Sequence, residues 1–142
     1  MNNTLIIAAA GSGKTTWIVR RALEQSNGNV LITTYTDANA TEIVNKIIEL
    51  NRSVPEYITV QPWFTFLLQH GVRPYQGKMF PNKIKGLLFV NEQSVLYVKD
   101  TDVKKHYFSL SSKIYSDKLS KFVIRSNEKS KGAVVDRLQR IY

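Results

Sequence analysis

A chain of 142 residues with 43% hydrophobic and 22% charged side chains has enough apolar mass for one folded domain and too much for a disordered segment. It carries no cysteine, only two histidines, His70 and His106, and no carboxylate cluster at ligand spacing, which excludes disulfides and thiolate metal sites and argues against a protein-built zinc site. The net charge of +9 is lopsided: residues 1–71 hold five Lys and Arg against five acids, residues 72–142 fifteen against six, so the second half suits a polyanion such as nucleic acid, with a solvated lysine-rich surface as the alternative.

The apolar run Leu5–Ala10 reads as a strand over 4–9, buried on both faces of a parallel sheet. It is too short to span a bilayer, as is Gly86–Val90. Ala8-Ala9-Ala10 has the small residues of a signal-peptidase site. Residues 1–4 carry no basic side chain, however, and cleavage would fall inside the glycine loop that follows. The expectation is a cytoplasmic protein with no membrane partner.

A helix is predicted from Gly13 or Lys14 to about Ser26, stopped near Gly28. Val30–Tyr35 is β-branched and reads as the next strand. Ala40, Ile43, Val44, Ile47 and Ile48 form one helical stripe, with Thr36 or Asp37 as the cap and Pro55 beyond the end. Residues 57–60 read as a third strand. Pro62 suits the first turn of a helix carrying Trp63, Phe66 and Leu67, which Gly71 should end. Alternating strands and helices predict an open parallel α/β sheet up to about residue 72. Beyond it, residues 86–99 suggest one or two short strands. A brief helix follows, capped by Asp100 or Thr101. Residues 109–132 are polar and show no clear period, and Val134, Val135, Leu138 and Ile141 return to helical spacing.

The segment AAAGSGKTT, residues 8–16, carries the sharpest chemistry. Gly11 and Gly13 permit backbone conformations that a β-carbon would crowd, so successive N–H groups can turn around an anion. A helix N-terminus adds its positive end. Lys14 can reach the β- and γ-phosphates, and the Thr15 hydroxyl can bind Mg²⁺. Ala8 stands where the regular phosphate-loop pattern has its first glycine. A glycine-rich structural turn with a surface lysine is the competing reading.

Three stretches together resemble the opening of UvrD/Rep-like superfamily I DNA helicases. AAAGSGKT is similar to motif I, the ATP loop. Thr34–Ile43 resembles motif Ia, commonly TFTNKAAxEM, and Pro62–Phe66 resembles motif Ib, commonly TxHSF. The likeness covers residues 4–75, with Ala38 in place of a usual lysine and Phe64 in place of the motif Ib histidine. It implies an incomplete RecA-like P-loop NTPase of α/β class, a parallel sheet flanked by helices. Residues 1–75 would be the first part of the ATP-binding domain, 76–132 an inserted basic 1B-like subdomain, and 133–142 a helix returning to the first domain. It implies ATP and Mg²⁺ as cofactors, held by Ala10, Gly11, Ser12, Gly13, Lys14, Thr15 and Thr16. Lys14 and Thr15 would be catalytic, and Thr15 would face the metal.

The resemblance further implies contact with single-stranded DNA, or a duplex–strand junction, through Thr34, Tyr35, Thr36, Trp63, Phe64 and Thr65. Aromatic rings suit this because stacking tolerates any base; simple packing is the other reading of Tyr35, Trp63 and Phe66. Only seven residues precede the loop, leaving no room for the family's upstream glutamine motif. Hydrolysis needs an acidic pair after an apolar strand, and LLFVNEQ, residues 87–93, places Asn91 where the aspartate belongs. The economical expectation is therefore an N-terminal fragment of an ATP-dependent helicase that is inactive by itself and completed by the remaining helicase domains of a parent chain. A small P-loop kinase and a non-hydrolysing, nucleotide-gated DNA-binding module stay open as alternatives.

Overall fold

In a computed structural model that describes residues 4–25 and 27–142, β1 (Val30–Thr34) and β2 (Ile58–Pro62) lie parallel, from Val30 opposite Ile58 to Thr34 opposite Pro62. Parallel strands cannot be joined by a tight turn, and α2 (Asp37–Asn51) makes the crossover. The Thr36 hydroxyl starts it by accepting from Asn39 N–H at 3.1 Å, satisfying one of the free N–H groups of a helix start. α1 (Lys14–Leu23) packs beside α2. Val30, Ile32, Ile58 and Val60 pack with Val19, Ala22, Ile43 and Ile47 of these helices, while Leu31, one residue out of phase, packs into a second core. That alternation is the period-two pleat of a strand.

The second core crosses the middle of the chain. α3 (Trp63–Phe66) runs directly into a wide, π-helical turn over Leu67–Val72. Phe66, Leu67 and Val72 meet Phe80, Ile84, Tyr107, Phe108, Ile114, Leu119 and Phe122, with Phe80 stacked on Phe108 at 4.1 Å. β3 (Gly86–Leu88) and β4 (Lys113–Tyr115) form a second parallel pair, and α4 (Val103–Tyr107) lies between them in the chain. α5 (Leu119–Lys129) packs on the π-helical turn. α6 (Ala133–Ile141) is tied back to earlier segments by two hydrogen bonds: Tyr75 Oη donates to Ala133 O at 2.7 Å, and Asn29 Nδ2, in the first half, donates to Ile141 O at 2.8 Å.

Several expectations are corrected. Residues 4–9 are irregular and open to solvent, with Leu5 85% and Ile7 89% exposed. A strand persists through its ladder partners; β1 and β2 pair with each other, and among the described residues no ladder reaches 4–9. The sheet of the first half thus has two strands rather than three. α1 ends at Leu23, before the expected boundary at Ser26, which lies outside the described residues. Ile48 is exposed, so the α2 stripe is narrower than its apolar spacing suggested, and Val135 is likewise exposed on α6.

Gly71 does not end its helix. It sits within the π-helical turn because a β-carbon there would lie 2.8 Å from Val123 Cγ2 of α5: it is a close-packing glycine, not a terminator. The cap of α4 is Asp102, whose carboxylate accepts from Lys105 N–H at 3.3 Å. Asp100 is occupied elsewhere, by Arg125 at 2.9 Å and Lys121 at 3.3 Å. The strand expected within 86–99 stops at Leu88, since β4 offers only three partners and Val90 N–H turns instead to Ser116 Oγ at 3.1 Å. Residues 109–132, without a legible period, hold β4 and α5.

Candidate nucleotide and nucleic-acid sites

The glycine loop closes on itself ahead of α1. Gly11 (φ 73°) and Gly13 (φ 81°) are both left-handed, a region that costs a residue with a β-carbon about 1–2 kcal/mol. Nothing stands within 4 Å of where either β-carbon would be, so backbone conformation, not crowding, demands glycine here. Ser12 donates twice to Ala9 O, from its hydroxyl at 2.7 Å and its amide at 3.3 Å. The first helical hydrogen bond runs from Trp17 N–H to Gly13 O. The N–H groups of the first turn before it, those of Lys14, Thr15 and Thr16, therefore have no helix carbonyl to serve. No acid sits in that turn.

The Lys14 ammonium folds back over the loop and donates to Ala8 O, at 3.1 Å, and to Ala9 O. It already lies beside the hollow where an anion would sit, held by two neutral carbonyls that a phosphate oxygen can outbid through charge. A cavity of about 390 Å³ opens at this point between Ser12, Gly13 and Lys14 on one side and Ile6, Trp17 and Ile18 on the other. Thr15 and Thr16 are half-buried on α1 and Ala10 and Gly11 exposed in the turn, all four outside that cavity's lining. The residues present thus fit a phosphate group: free amides, a helix N-terminus and one ammonium beside them.

The sequence-predicted DNA residues gather only in part. In a parallel sheet the carboxyl ends of the strands and the starts of the following helices share one edge. Thr34–Tyr35–Thr36 leave β1 there and Pro62–Phe64–Thr65 leave β2. Tyr35, Thr36, Phe64 and Thr65 line one groove of about 390 Å³. Tyr35 meets Phe64 edge-on, with ring centres 5.9 Å apart. Thr36 uses its oxygen to cap α2, and its hydroxyl retains a hydrogen to donate. Thr34 lies outside the groove and donates its hydroxyl to Thr36 O at 2.9 Å. Trp63 also lies outside, stacked on Phe66 at 5.6 Å.

Reasoning from sequence missed Phe89. Phe89 is 68% exposed and its ring meets that of Phe64 at 5.5 Å and 87°, so the run 87–93, which carries no acid where a metal carboxylate would stand, contributes an aromatic wall. Asn91 and Glu92 are exposed just beyond it, after a strand of the second sheet rather than of the sheet beside the glycine loop. Among the described residues no three His, Asp or Glu side chains gather as metal ligands, and no helix is long and apolar enough to cross a membrane.

Compared with known families, residues 1–136 match one described as UvrD/REP helicase N-terminal domain. The same comparison against curated proteins and against solved structures returns no match.

Proposed function

Because the chain belongs to the UvrD/REP helicase N-terminal domain family, a family of ATP-dependent helicases, we propose that it is the nucleotide-binding part of a motor that moves along single-stranded DNA. In this reading residues 1–75 belong to the first RecA-like domain, 76–132 are the basic insertion, and 133–142 return to the first domain. MgATP supplies the free energy of movement. The amides that follow Gly13 would hold its phosphates, the Lys14 ammonium would exchange the carbonyls of Ala8 and Ala9 for a phosphate oxygen, and the Thr15 hydroxyl would serve as a metal ligand. The second RecA-like domain and the hydrolytic carboxylates are assigned to other parts of the motor, since Asn91 cannot act as a metal carboxylate.

The observation that carries this reading is the pair of left-handed glycines set directly before a helix start, with an ammonium folded over them. The small-molecule kinase reading would need arginines free to close over a phosphate, and Arg125 is held instead between Asp100 at 2.9 Å and Glu128 at 3.1 Å. The test is titration of the 142-residue chain with a fluorescent ATP analogue and Mg²⁺. Lys14→Ala should lower affinity on the order of ten- to a hundredfold, the loss of a charge-assisted contact, with an unchanged melting temperature. Equal binding by both proteins would overturn the reading, as would clear ATP turnover by the wild-type chain that is lost on Lys14→Ala for its assignment of the carboxylates elsewhere.

A further inference from the structure

We infer that Phe89 is a base-stacking residue: with Tyr35 and Phe64 it forms an aromatic slot that takes an unstacked base of single-stranded DNA, so that the basic insertion and the ATP-binding domain grip the same strand. The inference rests on the DNA-translocating reading above and adds to it a residue that lies outside every helicase motif in the chain.

Phe64 is half-buried and fixed at the start of α3. Two further rings meet it edge-on from different parts of the chain: Tyr35 from the end of β1, with planes at 61°, and Phe89 from just past β3, with planes at 87°. Tyr35 is 76% and Phe89 68% exposed. An aromatic side chain left this open gives up most of what burial would contribute. Two such rings flanking a third leave faces available for a flat apolar partner. Edge-to-face contacts hold rings in defined orientations, so the slot is built before a ligand arrives.

The occupant is decided by what surrounds the rings. Leu87 and Pro62 close the groove with apolar surface, while Thr36 and Thr65 bring hydroxyls. Asp37, at the first position of α2, also lines it, and its carboxylate repels a phosphate. The polar backbone of a strand must therefore run outside the slot while its base enters. The cationic excess needed to hold that backbone lies in residues 72–142, the half that contributes Phe89. A flat apolar group on a polyanionic backbone describes a nucleobase of a single strand; paired bases inside a duplex present no free face.

The experiment measures fluorescence anisotropy of labelled oligo-dT with the 142-residue chain, for wild type, Phe89→Ala, Phe89→Trp and Tyr35→Ala, each at several salt concentrations. Phe89→Ala should weaken binding on the order of ten- to a hundredfold without changing the slope of affinity against salt, because no phosphate contact is lost. Phe89→Trp should restore affinity and show quenching of its emission on binding. An oligonucleotide lacking bases should bind wild type and Phe89→Ala equally. If Phe89→Ala binds as wild type while Tyr35→Ala is weakened, the inference fails and the DNA-binding reading stands. If wild type itself does not bind oligo-dT, both fail. A lost salt slope, or equal weakening on the baseless strand, would reassign Phe89 to a structural role and overturn the inference. A higher affinity for an RNA strand of the same length would overturn the choice of DNA.

Discussion

Tyr107 is wholly buried in the second core, packed edge-on against Phe122 at 5.3 Å, and its hydroxyl has no hydrogen-bond partner. Burial is the chief reason its ionisation is pushed above the ordinary phenol value; the Asp100 carboxylate pushes in the same direction, and the Arg125 guanidinium opposes both without cancelling them. Tyr107→Phe removes an unsatisfied polar atom while keeping the ring. It should therefore be neutral or stabilising by about 1 kcal/mol in urea unfolding at pH 7. The alkaline limb follows from linkage. A phenol whose folded value is raised keeps its full contribution below 10.0 and loses it as pH rises through the folded value. Wild type should lose stability above pH 10, and Tyr107→Phe should lose less. A steeper alkaline loss in the variant would contradict the assignment. Lys14 contrasts with Tyr107: its ammonium bonds to near neighbours in sequence, the carbonyls of Ala8 and Ala9, whereas nothing around Tyr107 in the chain marks its hydroxyl as unpaired.

At the scale of elements, the contact between the π-helical turn and α5 depends on Gly71. Its added β-carbon would come within 2.8 Å and 3.0 Å of the two Val123 methyl carbons. Valine is stiff at χ1, so it cannot simply rotate away. Gly71→Ala should destabilise the chain by about 1–3 kcal/mol, the usual cost of overpacking, measured by thermal melting. Val123→Ala in the same chain should recover part of the loss; additive losses would show that the clash is not the cause. Asp100 joins the loop before α4 to α5 through Arg125 and Lys121, which hold its carboxyl below the ordinary carboxylate value, the Arg125 hydrogen bond first. Asp100→Asn should weaken that junction at low salt and matter less as salt screens the pair. Hydrogen exchange of the α4 amides reports it; salt-independent protection would exclude the ion pairs as its origin.

Across the whole molecule, α6 meets the π-helical turn at His70. That ring stacks on Phe66 at 5.4 Å and faces the Arg137 guanidinium at 3.5 Å from Nδ1. Burial first, and then the Arg137 charge, hold its ionisation below the ordinary value of 6.5. A base depressed in the folded state contributes stability above pH 6.5 and loses it as pH falls through the folded value. Wild type should therefore melt earlier as pH drops from 7 to 5, and His70→Gln should flatten that slope. An unchanged slope would remove His70 from the account. The charge asymmetry acts at the same scale, since fifteen cations against six acids in residues 72–142 should make affinity for a single strand fall steeply with salt. Titration at two salt concentrations checks it; flat affinity would leave the basic half as a solubility device.

The glycine loop's geometry was legible because it is local: Gly11 and Gly13 are left-handed directly ahead of α1, and backbone sterics choose that geometry from the contiguous residues alone. The strands at Val30 and Ile58 and the helix over Asp37–Asn51 were legible for a similar reason, since apolar period and capping are properties of one segment. What depended on a partner was not. A strand over 4–9 needs a ladder, which composition cannot supply, and Gly71 reads as a terminator until Val123 is known to press against it. Asp100 looks like a cap until Arg125 claims its carboxylate. Phe89, some twenty-five residues from Phe64 in the chain, joins the aromatic slot only because β3 pairs with β4 and returns that ring to the edge where β1 and β2 end. Short-range energies are written in the order of residues; which distant surfaces meet is settled by the packing of the chain as a whole.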